Sequence, residues 1–210
     1  MTSTDAWYAM PVLAGRLVRL QPMAAEYAAG YLAAAGTGAD AEDVFRWVST
    51  AGSKSGAPRT LADAQADVDA ALAARARGER FAYAQFDAVT GEFAGTSSFY
   101  DVIPAVRTIA IGHTWLGKRW WRTGHNTESK LLMLSHAFDT LGAARVVWHT
   151  DIHNERSQAA IARLGATREG ELRKHRIRRD GSWRTTVQYS MTDDDWPAAR
   201  TALTERLEAG

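Results

Sequence analysis

Polar and apolar positions along the 210 residues alternate between period-two and helical blocks. Arg16–Gln21 (RLVRLQ) alternates and predicts an edge strand after a loose lead-in. Ala24–Ala35 is alanine-rich and reads as a helix ending near Gly36 and Gly38. Ala51–Pro58 (AGSKSGAP) has loop composition, and Thr60 then caps a lightly packed helix to about Arg77. Arg80–Asp87 and Glu92–Tyr100 predict two strands joined at Val89-Thr90-Gly91. Arg107–Leu116 is a third strand, and period two puts Ile109, Ile111, His113 and Trp115 on one face. Thr127–Leu141 is the clearest helix, because Leu131, Leu134, Phe138 and Leu141 form one stripe and Gly142 follows as a stop.

The remaining chain closes the sheet. Arg145–Thr150 is a strand, and Asn154 caps a short helix to Leu164, ended by Gly165. Thr167–Leu172 and Trp183–Met191 are closing strands, separated by the basic stretch Arg173–Arg179 and an Asp180-Gly181 turn. Thr192–Asp195 opens a last helix to about Glu208, with acids at its positive end. A strand–helix–strand crossover in the middle implies a parallel strand pair. The hairpin before it implies an antiparallel half. The expected class is therefore α/β (α+β), a mixed sheet with flanking helices, in one domain over 1–210.

Composition narrows the function classes. Charge is balanced, 25 Lys and Arg against 24 Asp and Glu, so no whole-molecule field favours nucleic acid or an anionic membrane. Cysteine is absent, which excludes disulfides, thiolate-bound zinc and a cysteine nucleophile and fits a cytoplasmic setting. Met1–Ala9 has no basic segment followed by an apolar run, and no stretch is long and apolar enough to span a membrane.

Between the third strand and the long helix lies Gly117–Asn126 (GKRWWRTGHN). Two glycines bracket Lys118, Arg119 and Arg122 just before a helix N-terminus, where free N–H groups and the dipole favour phosphate. The bland alternative is a solvated loop before a capped helix. Glu128 would repel phosphate if it faced the loop and is expected to point away. The stretch is neither a Walker A loop nor a dinucleotide fingerprint.

Three stretches resemble the GNAT superfamily of acyl-CoA-dependent N-acetyltransferases, especially its ribosomal-protein (Rim-type) branch. They are IGHTWLGKRWWRTGHNTESKLL (Ile111–Leu132), DIHNERSQAAIARLG (Asp151–Gly165), and the closing strands with QYSM (Gln188–Met191). GRLVRLQPM (Gly15–Met23) resembles the opening strand. The family loop commonly reads Gln/Arg-Gly-x-Gly-x-Ala. Here Trp121, Arg122 and Asn126 depart from it, and Gly124 matches. The resemblance implies a mostly antiparallel sheet with a splayed parallel pair.

It also implies acetyl transfer from acetyl-CoA to a primary amine, a protein N-terminus or a small molecule, with no metal. The implied coenzyme contacts are Trp115, Leu116, Arg119, Arg122, Thr123, Gly124, His125, Asn126, Thr127, Asn154 and Ser157. A side chain at position 122 is compatible with a phosphate nest if its φ is negative. Ser157 and Tyr189 are the candidate acids for the leaving thiolate. Asn154 and Ser157 also read as helix capping, and Tyr189 as a core tyrosine. Asp151 and His113 are candidate bases. His113, alternating with Ile111 and Trp115, reads more readily as a core histidine. The basic run Arg173–Arg179 reads as a solvated loop rather than an RNA-binding surface, since no aromatic interleaves it. Trp120 and Trp121 are open to three roles: covering adenine, packing under the sheet, or forming a homodimer face. The competing function is a non-catalytic binding module of the same fold acting on RNA or a protein partner.

Overall fold

The computed structural model describes residues 4–48 and 56–209, so most of the loop expected over Ala51–Pro58 lies outside the described residues. Eight strands form one sheet: β1 (Leu13–Ala14), β2 (Val18–Pro22), β3 (Arg80–Asp87), β4 (Phe93–Ile103), β5 (Thr108–Leu116), β6 (Arg145–Asp151), β7 (Thr167–Ile177) and β8 (Trp183–Thr192). Their spatial order is β1-β2-β3-β4-β5-β6-β8-β7. Every neighbouring pair is antiparallel except β5 and β6, which are parallel.

Six helices cover the two faces: α1 (Ala28–Ala35), α2 (Gly38–Phe45), α3 (Leu61–Ala76), α4 (His125–Ser135), α5 (Glu155–Ala162) and α6 (Trp196–Ala209). One core holds Phe99, Ile109, Ile111, Val146, Trp148 and Val187 against Leu134 and Phe138 of the α4 segment and Leu203 of α6. The other holds Ala82, Ala84, Phe93 and Trp115 against Tyr31 of α1, Phe45 of α2 and Val68 of α3. Thr60 and Asp63 form the reciprocal capping box that starts α3. That helix packs more firmly than its alanines suggest, since Ala64 and Val68 are fully buried.

Several expectations change. α2 was not foreseen. Glycine at its first residue and weak apolar periodicity hide it, while Val44 and Phe45 bury its end. The opening strand is not the edge, because β1 pairs outside it. The helix after the Gly117–Asn126 stretch begins two residues early, at His125, and continues past Ser135 as a π turn, His136–Thr140. The basic stretch is largely strand rather than loop, since β7 runs to Ile177. It pairs Arg176 with Arg184 of β8 and bulges between Leu172 and Arg176, with Lys174 at φ 53°.

The face assignment on β5 also fails. Ser98 pairs with Gly112, but Thr96 pairs with Trp115, so two residues of β5 oppose Ser97. His113 is the bulged residue, at φ 49°. The extra residue inverts the side-chain alternation. Ile109 and Ile111 therefore enter the first core and Trp115 the second, while His113 sits in neither.

Candidate active site

β5 and β6 are paired only from Thr108–Arg145 to Ala110–Val147. Beyond that point no ladder pairs join them, so a cleft opens between the C-terminal half of β5 and the end of β6. The strand C-termini and the following helix starts, α4 and α5, border it. This is where a parallel sheet characteristically offers exposed backbone and helix N-termini to a ligand.

The loop before α4 is built to hold a fixed shape. Thr123 Oγ1 donates to the Trp120 carbonyl at 2.7 Å and lies 2.9 Å from His125 Nδ1. His125 Nε2 is 3.0 Å from Asp87 Oδ2, and Trp120 Nε1 donates to the same oxygen at 3.4 Å. The Asp87 carboxyl is held down at about 2, first by the Thr90 N–H. Arg122 takes a left-handed conformation, φ 60°. The negative φ required of a side chain there is thus not met. Arg122 instead adopts the backbone shape that a glycine takes freely, at about 1 kcal/mol. Gly124 has an ordinary φ of −67°, so its need is steric: a Cβ there would lie 2.4 Å from Leu17 Cδ1.

The first helical bond of α4 runs from Glu128 N to the Gly124 carbonyl at 2.9 Å. The N–H groups of Asn126 and Thr127 precede it and have no carbonyl within the helix. Glu128 does turn away. Its carboxylate is buried and accepts from the N–H groups of Arg16, Leu17 and Val18 at 2.9, 2.6 and 2.7 Å. The cations divide. Lys118 pairs with Asp43, and Arg119 pairs with Glu92 at 2.6 Å while lying over Trp120. Arg122 is exposed and makes no ion pair among those the structure shows.

The two tryptophans part company. Trp120 is buried in the second core. Trp121 donates its Nε1–H to the Leu116 carbonyl at 2.7 Å. Its ring lies between Lys118 Nζ at 4.1 Å and the Arg156 guanidinium of α5 at 3.9 Å. It therefore links the end of β5 to the start of α5 across the cleft mouth, through cation–π contacts.

On the β6 side, Asn154 Oδ1 accepts from Ser157 N at 3.1 Å and caps α5, while Ser157 itself is half-buried. Tyr189 is buried, and its hydroxyl donates to Gln158 Oε1 at 3.4 Å. Asp151 is 6% exposed and takes Nε and Nη2 of Arg178 at 2.7 and 3.0 Å, and also accepts from His153 N. Burial by itself would raise its carboxyl, but the guanidinium and this N–H hold it below the usual range. Among the described residues no group of His, Cys, Asp and Glu is arranged to hold a metal ion. No helix there is long and apolar enough to cross a membrane.

A second polar cluster, which joins the candidate base His113 to residues that no spacing links to it, lies on the floor of the sheet where β5 and β6 part. Tyr100, Gly112 and His149 follow Phe99, Ile111 and Trp148 of the first core and so face the other way. The Tyr100 hydroxyl is 3.0 Å from His149 Nδ1. The His113 ring stands edge-on to Tyr100, with centroids 5.4 Å apart, and His175 lies 5.7 Å from His149. His113 is exposed on this face. The atoms crowded around it, followed by Arg80, Arg176 and Arg184, hold it below the ordinary histidine value. The residues come from β4, β5, β6 and β7, so no local pattern announces them.

On the opposite face Lys130 of α4 is fully enclosed. Its Nζ donates to Ser97 Oγ at 2.7 Å and Thr114 Oγ1 at 2.8 Å. Burial without a carboxylate partner pushes its amine down to about 7.

Comparison with known proteins decides the family. A profile described as acetyltransferase (GNAT) domain matches residues 18–167. The chain belongs to the GNAT acetyltransferase family. A GCN5-related N-acetyltransferase from Brucella melitensis superposes with a TM-score of 0.86 at 30% identity, over 95% of this chain and 86% of that one. The [ribosomal protein uS5]-alanine N-acetyltransferase of Escherichia coli (strain K12) is 27% identical over 125 residues, 59% of this chain and 63% of that enzyme. The match thus spans less than two thirds of the curated relative's length. RimJ of Mycobacterium smegmatis, solved in complex with CoA-disulfide, covers 96% of both chains with a TM-score of 0.74. At 22% identity that likeness speaks for the fold.

Proposed function

We propose that the chain is a cytoplasmic acetyl-CoA-dependent N-acetyltransferase that moves an acetyl group to a primary amine, with a protein N-terminal α-amine as the acceptor class. The observation that carries this reading is the opening between β5 and β6 beyond Ala110 and Val147, with α4 and α5 starting at its mouth. Pantetheine would lie along the free edge of β5 near Trp115 and Leu116, as an added strand does. Its diphosphate would meet the N–H groups of Asn126 and Thr127 and the side chain of Arg122. Gly124, Thr123 and His125 keep that loop in shape. Arg119, spent on Glu92, contributes through the loop rather than as a free cation.

A backbone N–H near Leu116 would stabilise the oxyanion that develops on the thioester carbonyl. Ser157 would protonate the departing thiolate, and the Asn154 cap on its N–H would fix its position. The buried hydroxyl of Tyr189 is the second donor on that side. Asp151 acts by holding Arg178 and the turn before α5. The α-amine preference follows from chemistry. Near pKa 8 it loses its proton at neutral pH far more readily than a lysine amine. The uS5-alanine acetyltransferase among the relatives supports a ribosomal-protein terminus as acceptor.

Isothermal titration with acetyl-CoA tests the reading, followed by thiol release with alanine- and serine-initiated peptides. Micromolar binding and peptide-dependent thiol release are expected. A Ser157→Ala variant should bind acetyl-CoA normally and turn over at least 10-fold more slowly. No binding at millimolar acetyl-CoA would instead favour the binding-module reading.

A further inference from the structure

Acetyl transfer needs a group to take the amine's proton, and the Asp151 carboxylate at the end of β6 is already engaged by Arg178. The floor offers something else. Tyr100 belongs to β4 and His149 to β6, yet their side chains meet across β5. The phenol passes over Gly112, where a Cβ would lie 2.8 Å from Tyr100 Cε1. Gly112 and His149 each lie two residues beyond Ala110 and Val147, the last paired residues of β5 and β6. The pair therefore bridges the point where the cleft begins.

Hydrogen bonding fixes the direction of this contact. The Glu169 carboxylate pairs with Arg145 at 2.7 Å, and that guanidinium holds it ionised, down to about 2. A carboxylate only accepts, so the Gln188 amide presents its NH2 to Glu169 at 2.9 Å. Its oxygen is then turned to His149 Nε2, 3.1 Å away. An amide oxygen also only accepts, so the imidazole proton sits on Nε2. Nδ1 carries a lone pair, and Tyr100 donates to it.

We propose that Tyr100 and His149 form the proton relay for the acceptor amine, with Gln188 and Glu169 positioning the imidazole. The inference rests on the transferase reading above. The bound amine arrives as an ammonium ion. One of its protons passes to the Tyr100 oxygen while the Tyr100 proton passes to His149 Nδ1, and this frees the nitrogen lone pair. The neutral amine then attacks, the C–N bond forms and the carbonyl pair moves to oxygen. As the carbonyl re-forms the C–S bond breaks, the thiolate takes the Ser157 proton, and the second proton lost by the nitrogen replaces it. His149, carrying both N–H groups, returns its proton through Tyr100 to solvent.

The resting states suit the task. Burial pushes the Tyr100 phenol up to about 12 and His149 below the ordinary histidine value, so the phenol is protonated and the imidazole neutral at pH 7. The charged and titratable groups around them are Arg80 of β3, Asp101 of β4, His113 of β5, His175 and Arg176 of β7, and Arg184 of β8.

The test is the pH dependence of kcat/KM from 6 to 9.5 for wild type, Tyr100→Phe and Gln188→Leu, with an alanine-initiated peptide and acetyl-CoA. Acetyl-CoA affinity and melting temperature are measured alongside. For Tyr100→Phe we expect a loss of about 100-fold at pH 7 with unchanged acetyl-CoA binding. The loss should shrink below 10-fold at pH 9.5, where the α-amine is unprotonated without help. Gln188→Leu, which frees the imidazole to change tautomer, should show a smaller loss with the same pH trend. A defect equal at every pH, or none, overturns the relay while leaving the transferase reading intact. A wild-type protein that binds acetyl-CoA but acetylates no peptide overturns both.

Discussion

Lys130 Nζ donates to Thr114 Oγ1 at 2.8 Å, fastening α4 to the bulge that turns His113 out of the core. Ser97, the β4 residue opposite the bulge, completes the contact and is 2.8 Å from Thr114. A buried amine with only hydroxyl partners is costly while charged. Its folded value of about 7 lies below the ordinary 10.5. Between those two values the unfolded chain binds more protons than the folded one, so stability rises with pH over that window. Denaturant unfolding at pH 7 and pH 10 should show a gain of up to a few kcal/mol. Lys130→Met should flatten this rise and leave Ser97 and Thr114 bonded to each other. An unchanged pH slope in that variant would contradict the assignment.

Glu128 is the acceptor for three consecutive backbone N–H groups, of Arg16, Leu17 and the first residue of β2, Val18. Glu128→Gln keeps the shape but turns an NH2 towards donors. It should cost about 2 kcal/mol in chemical denaturation. Glu128→Ala should cost more, because all three N–H groups lose their partner.

Gly124 has room for no large side chain. The methyl of Gly124→Ala would meet the tip of the half-buried Leu17 side chain, which can turn aside, so that change should cost little. Gly124→Ile would press on Leu17 and Leu207 together and displace the start of α4. The expected result for the larger variant is an acetyl-CoA affinity at least 10-fold weaker, read by titration, with a modest fall in melting temperature. Arg122→Gly is the contrasting variant. The backbone keeps its left-handed turn at no steric cost, and affinity should fall only by the loss of one cation, a few-fold and less so at high salt.

Arg178 and Asp151 form a largely buried pair, 20% and 6% exposed at their side chains. Arg178→Ala leaves Asp151 with the His153 N–H and Arg184, 3.9 Å away, and should lower the melting temperature at pH 7. The carboxyl is depressed in the folded state, so the pair's contribution is present above the ordinary 3.8 and lost as pH falls through the lower folded value. The difference between wild type and variant should therefore shrink as pH falls below 3.8.

Much of this protein was legible in the sequence because it depends on local periodicity. The stripe ending in Leu134, Phe138 and Leu141, the Thr60 cap and the β3–β4 hairpin follow from spacing and turn chemistry. So does the strand–helix–strand order that makes β5 and β6 parallel neighbours. The loop before α4 was legible too, as glycines and cations ahead of a helix. Its inner state was not. Whether Lys118, Arg119 or Arg122 stays unpaired depends on Asp43 and Glu92, which lie 75 and 27 residues away from their partners.

What only the tertiary structure decided begins at His113. Period two is blind to a bulge, because the extra residue is defined by the partner strand and not by β5 itself. That single insertion sent Trp115 to the opposite core and left His113 in the cleft. The same holds for Tyr100, His149, Gln188 and Glu169. Each reads as an ordinary strand residue, and they acquire a common chemistry only where four strands bring them side by side. Local sequence specifies which face a side chain takes while the strand stays regular. Only the assembled sheet specifies which distant side chains share that face.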